Sequence, residues 1–128
     1  MSGATWSVAL GVALMGGLGA LSRWGLGALV SRFVSGSFPA GTFLANALGC
    51  LVLGVVTGWS ADALPEHLRV PLATGFLGSF TTFSTFSVES VKLLEQGAWG
   101  LAAANVVGSI LVGLSGAGLG VWVGRGLG

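Results

Sequence analysis

The chain has 128 residues, of which 53% are hydrophobic and 7% are charged, and its mean hydropathy is +0.92. Soluble globular domains carry about 25% charged residues, so this composition excludes an ordinary soluble fold and predicts a membrane protein. The few charged side chains, which sum to a net charge of +1, leave four long intervals that carry none. These charge-free intervals are residues 7–22, 33–61, 70–88 and 96–124.

Each interval can supply the roughly 17–25 apolar residues needed to cross about 30 Å of hydrocarbon. We therefore predict an all-α membrane protein with four transmembrane helices, in a single domain that occupies residues 1–128. The predicted spans are about 5–31, 38–59, 69–94 with a break near 75–81, and 98–124.

A cleaved signal peptide is the alternative interpretation of the first apolar run. No basic residue precedes this run, and it is longer than the apolar core of a signal peptide, so a membrane helix is favoured. Arg23 stands near the end of this span. It is either an arginine whose head group reaches the membrane surface, or a fixed positive charge that concentrates anions at a pore mouth. The sequence leaves both interpretations open.

The second span carries Thr42 and Asn46, which share one helical face at a spacing of four residues. The amide donors of Asn46 can replace water around an anion. The alternative is an interhelical hydrogen bond, which is a common role of asparagine in membranes. Cys50 lies in the same span and is interpreted as a small packing residue.

Residues 75–86 of the third span combine glycine, hydroxyl and phenyl side chains, a composition that suits a lipid-facing helix poorly. Gly75 and Gly78 are predicted to flank the point where the helix unwinds, because glycine tolerates non-helical dihedral angles. Unwound backbone exposes carbonyl oxygens to a cation, and the N-terminus of a restarting helix attracts anions. Non-helical backbone at membrane depth survives only where protein covers it or where it lines a watery cavity.

Phe83 and Phe86 follow at a spacing that places both rings on one side of the helix, with Thr82, Ser84 and Thr85 around them. The edges of aromatic rings are electropositive, so two edges along a narrow path can favour a small anion. The alternative is packing in an ordinary helix whose hydroxyls bond to its own carbonyls. Glu89, at the end of this helix, is expected to be solvated or paired near the membrane edge.

Small residues repeat every four positions in the second and fourth spans, which predicts close helix packing. The repeats are Gly54–Gly58, Gly116–Gly120–Gly124 and Ser109–Gly113–Ala117. Asn105 and Ser109 also share one face of the fourth span. Five tryptophans near span ends favour the membrane interface, and they are Trp6, Trp24, Trp59, Trp99 and Trp122.

The basic residues do not decide the orientation of the chain in the membrane. Arg69 and Arg125 fall on one predicted side, and Arg32 and Lys92 fall on the other. The positive-inside bias is therefore nearly absent. Either Arg23 fixes one orientation, or the chain inserts in both orientations and two opposed copies dimerise. The lone histidine, His67, lies in a loop, and no catalytic or phosphate-binding motif accompanies it, so an enzyme is not expected.

Taken together, Gly41-Thr42 with Asn46, the run from Gly78 to Phe86 and the glycine-rich fourth span resemble the Fluc/CrcB fluoride channels of bacteria. The resemblance covers nearly the full length. It implies a multi-pass protein of the bacterial inner membrane, an antiparallel dual-topology homodimer with two pores, and passive export of fluoride. The implied partners are fluoride, a second copy of the chain and the lipid bilayer, with no nucleic acid.

Individual residues take their expected roles from this resemblance. Arg23 and Glu89 match accessory residues at the ends of the polar path, and Asn105 is expected to be a third accessory residue. Gly78 and Thr81 match positions whose backbone carbonyls hold a structural Na+ at the dimer centre. The expected fluoride pore consists of Phe83, Phe86, Asn46, Thr42, Ser84, Thr85 and Ser109. Two departures from the family pattern stand out, namely Asn105 where tyrosine is frequent and Ser79-Phe80 where Gly-Leu is usual.

A small dual-topology exporter of drugs or cations is the second functional hypothesis. Such a protein needs a carboxylate within the membrane to exchange protons for its substrate. The first, second and fourth spans contain no Asp or Glu, and Glu89 lies at a helix end, so a fluoride channel is favoured. A third hypothesis, a non-transporting assembly subunit, leaves the polar residues of the spans without a use.

Overall fold

All regular structure among the described residues, 2–59 and 62–128 of a computed structural model, is helical. This confirms the all-α prediction. The elements are α1 (Gly3–Val30), α2 (Ala40–Gly58), α3 (Glu66–Val70), a π-helical segment (Pro71–Leu77), α4 (Gly78–Phe80), α5 (Phe83–Glu95) and α6 (Trp99–Leu127). Residues 1, 60 and 61 lie outside the described residues. Residue 1 belongs to the predicted domain, and residues 60 and 61 end the charge-free interval 33–61 and begin the loop that follows it.

Three helices, α1, α2 and α6, are long and apolar enough to cross a membrane. They match the predicted spans 5–31, 38–59 and 98–124 to within a few residues. Large apolar side chains such as Leu14 and Leu114 are exposed on their outer surfaces, as expected for a multi-pass membrane protein surrounded by lipid. Residues 66–95, which contain the other predicted span, form a series of shorter helical pieces.

Glycines on both α2 and α6 bring these two helices into close backbone contact. A Cβ atom added to Gly54 would overlap the carbonyl oxygen of Ala117, and one added to Gly120 would overlap that of Leu51. Gly58 and Gly124 are equally restricted, which confirms the predicted packing of small residues. In lipid the hydrophobic effect does not hold helices together, so such close contacts contribute much of the association energy.

The break in the 66–95 region overlaps the predicted one only at its last residue. The sequence places it near 75–81, whereas Thr81 (φ −89°, ψ 157°) and Thr82 (φ −153°, ψ 120°) are the extended residues between α4 and α5. The expected unwinding between Gly75 and Gly78 does not occur, because both residues are helical. Gly75 instead permits close packing on α1, since a Cβ there would lie 2.8 Å from the carbonyl oxygen of Val12.

We predict that Gly120→Ala lowers the free energy of unfolding by about 1–3 kcal/mol, because its methyl group would press on the rigid backbone of Leu51. Thermal unfolding of the detergent-solubilised protein measures the change. Gly118→Ala is the matched control, since no atom lies within 4 Å of a Cβ added there. Equal loss of stability in the two variants would contradict the packing explanation.

Candidate functional site

The break between α4 and α5 is closed by an asparagine from another helix. The backbone N–H of Thr82 donates to Oδ1 of Asn46 over 2.8 Å, and Nδ2 of Asn46 donates to the carbonyl oxygen of Thr82 over 3.1 Å. The primary amide thus replaces the helical partners that the Thr82 backbone lacks. A buried backbone group without a partner costs roughly 1–3 kcal/mol, so this pair of bonds compensates for the break.

Thr81 is also held by its side chain. Its hydroxyl donates to the carbonyl oxygen of Leu77 over 3.0 Å, and its methyl group packs against Gly49 of α2. A Cβ on Gly49 would overlap that methyl group. Asn46 and Gly49 are three residues apart and therefore lie on one face of α2. The break packs against this face of α2, which is called its seat below.

Arg23 contacts the last turn before the break. Its Nε atom donates to the carbonyl oxygen of Ser79 over 3.2 Å, and the side chain also lines a cavity of about 450 Å³ together with Thr42. A cation is favourable at the C-terminal end of a helix, where carbonyl groups lack intrahelical partners. Binding this carbonyl is a role that neither of the two sequence-based interpretations of Arg23 included.

The carbonyl oxygens of Gly78 and Thr81 receive no hydrogen bond from any described residue. The Thr82 N–H, which would bond to Gly78 in a continuous helix, is donated to Asn46 instead. Gly78 is exposed, and the described residues contain no cluster of three His, Cys, Asp or Glu side chains that could hold a metal.

Phe83 and Phe86 form a tilted pair at the start of α5, with ring centroids 5.8 Å apart. Phe83 is 80% exposed, whereas Phe86 is half-buried. Both rings line a central cavity of about 300 Å³ with Asn46, Ser109 and the two break threonines. Ser109 also lines this cavity, and its hydroxyl oxygen is buried with no hydrogen-bond partner among the described residues.

The hydroxyl groups at the start of α5 bond to one another. The Thr82 hydroxyl accepts from the Thr85 backbone N–H over 3.2 Å, which caps the helix, and it donates to the Thr85 hydroxyl over 3.1 Å. Its oxygen lies 3.4 Å from that of Ser84. Ser84 and Thr85 do not line the central cavity, although both were expected in the pore.

Thr42 and Glu89 lie together at a second level, nearer the end of the helices. The Thr42 hydroxyl donates to Oε1 of Glu89 over 3.0 Å, and both residues line a cavity of about 260 Å³ beneath the loop between α1 and α2. Glu89 is therefore paired, as one of the two expectations for it stated. Thr42 and Asn46, one turn apart on α2, connect this level with the central cavity.

Asn105 is packed rather than open to a path. Only 1% of its surface is exposed, and its Nδ2 atom donates to the hydroxyl of Ser90 over 3.0 Å. Ser90 donates in turn to the carbonyl oxygen of Phe86 over 2.8 Å. The expected accessory residue thus ties α6 to the turn of α5 that carries Phe86. The sequence analysis missed Ser90 and Gly49, whose helical spacing from Phe86 and from Asn46 is the signal that could have identified them.

These contacts produce a mostly apolar chamber of about 300 Å³, open to the surroundings at the exposed Phe83 ring, with a few donors and two aromatic rings. The ring edges, the Asn46 amide and the Ser109 hydroxyl could bind a small anion, while the unpaired carbonyls suit a cation outside the chamber. Among the described residues that line the chamber, none forms an acid and base pair. The chamber's hydroxyl groups come from Thr81, Thr82 and Ser109, and its amide comes from Asn46.

The comparisons with known proteins agree over nearly the whole chain. The family described as CrcB-like protein, Camphor Resistance (CrcB), matches residues 10–121. The protein named Fluoride-specific ion channel FluC 2 of Symbiobacterium thermophilum is 50% identical over 117 residues, which cover 90% of this chain and 92% of that protein.

Two further relatives carry the name Fluoride-specific ion channel FluC. The protein from Nitratidesulfovibrio vulgaris is 50% identical over 114 residues, which cover 88% of this chain and 92% of the relative. The protein from Methylobacterium nodulans is 47% identical over 104 residues, which cover 80% of this chain and 83% of the relative.

We predict that Gly49→Ala displaces the break from its seat, because the new methyl group would occupy the position of the Thr81 methyl group. The expected loss is about 1–3 kcal/mol of unfolding free energy, with faster hydrogen exchange at the Thr82 amide. Mass-spectrometric hydrogen exchange and thermal unfolding measure the two effects. Gly17→Ala, at an open position on α1, is the control, and unchanged exchange in Gly49→Ala would contradict the proposed seat.

Proposed function

The chain belongs to the CrcB family, and on that premise we propose that it is a fluoride-selective ion channel through which fluoride leaves the cell passively. It is a multi-pass membrane protein, and since its relatives are named ion channels, it is not an enzyme. The observation that carries the proposal is the central cavity, where two phenyl rings, an amide and the unpartnered Ser109 hydroxyl line one chamber.

The chemistry of this chamber favours fluoride over larger halides. Fluoride is small and strongly hydrated, so it needs close donors in exchange for its water. The edges of Phe83 and Phe86 offer weak positive potential without a full charge, and the Ser109 hydroxyl can donate. A larger halide gains less from the same donors, because its centre of charge lies farther from them.

We propose that residues 66–95 supply the fourth crossing of the membrane. A crossing that contains extended backbone needs protein around it, because lipid cannot satisfy free N–H and C=O groups. Asn46 satisfies the backbone of Thr82 from one side. The other side of the break, where Gly78 and the Phe83 ring are exposed, needs a cover that the protomer lacks among its described residues.

A second, antiparallel copy of the chain is the proposed cover. The balanced basic residues, with Arg69 and Arg125 opposed to Arg32 and Lys92, favour insertion in both orientations. Two inverted copies that meet at their exposed breaks would enclose both Phe83 rings and form two equivalent pores. The same contact would bring the free carbonyls of both copies together.

A structural sodium ion at this contact fits the residues present. Backbone carbonyls of unwound helices are suitable Na+ ligands, and those of Gly78 and Thr81 have no hydrogen-bond donor among the described residues. The ion would supply positive charge to carbonyl groups that water does not reach. The departure from the family pattern at Ser79-Phe80 does not remove these carbonyl ligands, because they are backbone atoms.

We predict that proteoliposomes loaded with potassium fluoride release fluoride when a potassium ionophore is added. Vesicles loaded with potassium chloride should retain their chloride, because the chamber does not compensate the larger anion for its lost water. Fluoride and chloride electrodes measure the two releases, and protein-free vesicles are the control. Equal release of the two halides would contradict selectivity.

Phe83→Ile and Phe86→Ile should each reduce fluoride flux by about tenfold, since an aliphatic side chain has no electropositive edge and such an edge contributes about 1 kcal/mol. Phe33→Ile is the matched control, because Phe33 is 82% exposed and lies outside the described cavities. Size-exclusion chromatography checks that each variant keeps its assembly. Normal flux in both pore variants would remove the ring-edge mechanism.

Dual topology predicts that a tag at one terminus is accessible from both faces of the membrane. Cells that express the tagged chain are labelled with an impermeant reagent before and after permeabilisation of the inner membrane. We expect about half of the tags to react in each step, because the basic residues favour neither orientation. Labelling in one step alone would contradict the antiparallel dimer.

A further inference from the structure

We propose that Asn46 is a positioning residue that aims the Thr81 carbonyl oxygen towards the cation, in addition to lining the anion chamber. The inference rests on the proposed sodium site and adds the residue that orients one of its ligands. The function proposed above uses Asn46 in the pore and as the partner of the Thr82 backbone, without a connection to the cation. The structure shows that the oxygen and the nitrogen of its amide each form a hydrogen bond with the Thr82 backbone.

The geometry of one peptide unit carries the argument. The Thr81 carbonyl and the Thr82 N–H belong to the same peptide plane, and no described peptide bond is cis. In a trans unit these two groups point in opposite directions. Since the Thr82 N–H points at Oδ1 of Asn46 over 2.8 Å, the Thr81 carbonyl must point away from Asn46 and from α2.

The second hydrogen bond makes this orientation rigid. A single bond would let the 81–82 plane tilt about its acceptor. Nδ2 of Asn46 also holds the Thr82 carbonyl over 3.1 Å, which belongs to the next peptide plane. Rotation of either plane therefore breaks a hydrogen bond to this one planar amide.

The Thr81 side chain acts in the same direction. Its methyl group sits against Gly49 and its hydroxyl bonds to Leu77, so the side chain is committed to the packed side of the break. The carbonyl oxygen receives no hydrogen bond from the described residues, so it stays available to a cation. Asn46 and Gly49 of α2 together present this oxygen outward.

The experiment measures sodium affinity instead of fluoride flux. The full-length protein is purified in detergent with N-methylglucamine as the only cation, and its melting temperature is followed as NaCl is added. We compare the natural chain with Asn46→Leu, which removes both bonds to the break. We fit the shifts to the logarithmic dependence on free ligand and define the sodium midpoint as the concentration that half-occupies the native site; we expect it to rise about tenfold, in line with the loss of two hydrogen bonds.

Asn105→Leu is the matched control. It removes a buried asparagine of similar volume that bonds to Ser90 and makes no hydrogen bond to the break. This variant should melt at a lower temperature and keep the sodium midpoint of the natural chain. An equal change of midpoint in both variants, or no change in Asn46→Leu, would overturn the inference while leaving the sodium site in place.

A measurement on the natural chain covers the case in which Asn46→Leu does not fold. The Thr82 amide can exchange its hydrogen only when its plane rotates away from Asn46, and this rotation also removes the Thr81 carbonyl from the cation. Hydrogen exchange at Thr82 should therefore slow by about tenfold in sodium relative to N-methylglucamine. If sodium raises the melting temperature but leaves the exchange rate of the Thr82 amide unchanged, the inference is overturned. If sodium does not change the melting temperature, both the sodium site and the inference are overturned.

Discussion

The double hydrogen bond between Asn46 and the Thr82 backbone is the interaction on which the candidate site depends. An extended pair of residues in an apolar protein leaves backbone groups that lipid cannot satisfy. One primary amide supplies both a donor and an acceptor, which is what the Thr82 backbone requires. The aromatic pair, the hydroxyl cluster and the unpaired carbonyls all follow from the break that this contact stabilises.

The break separates residues 66–95 into two parts with different neighbours. The part before it packs on α1, where Gly19 lies against the Phe76 backbone, and Arg23 bonds to its last turn. The part after it, α5, is tied to α6 through Ser90 and Asn105. The phenyl rings therefore take their position from α2 and α6, and not from the helix that precedes them in the chain.

Close backbone packing gives these polar contacts a rigid frame. The glycines of α2 and α6 bring the two helices together. Asn46 on α2 and Ser109 on α6 therefore belong to the most tightly packed pair of helices in the described structure. A side chain on a rigid helix keeps its hydrogen-bonding groups in place with less loss of entropy on binding. This arrangement suits a chamber that must replace the water of a small ion.

The sequence by itself determined the membrane class, the approximate spans and the glycine faces of α2 and α6, because charge-free length and four-residue spacing are local properties. It also pointed to the run from Gly75 to Phe86. Only the tertiary structure decided that the helix breaks at Thr81–Thr82 and stays helical at Gly75 and Gly78. The reason is that the compensating amide comes from Asn46, 36 residues away, while Gly75 is required for contact with α1. Similarly, the burial of Asn105 depends on Ser90 in a neighbouring helix, and local propensity contains no information about such a partner.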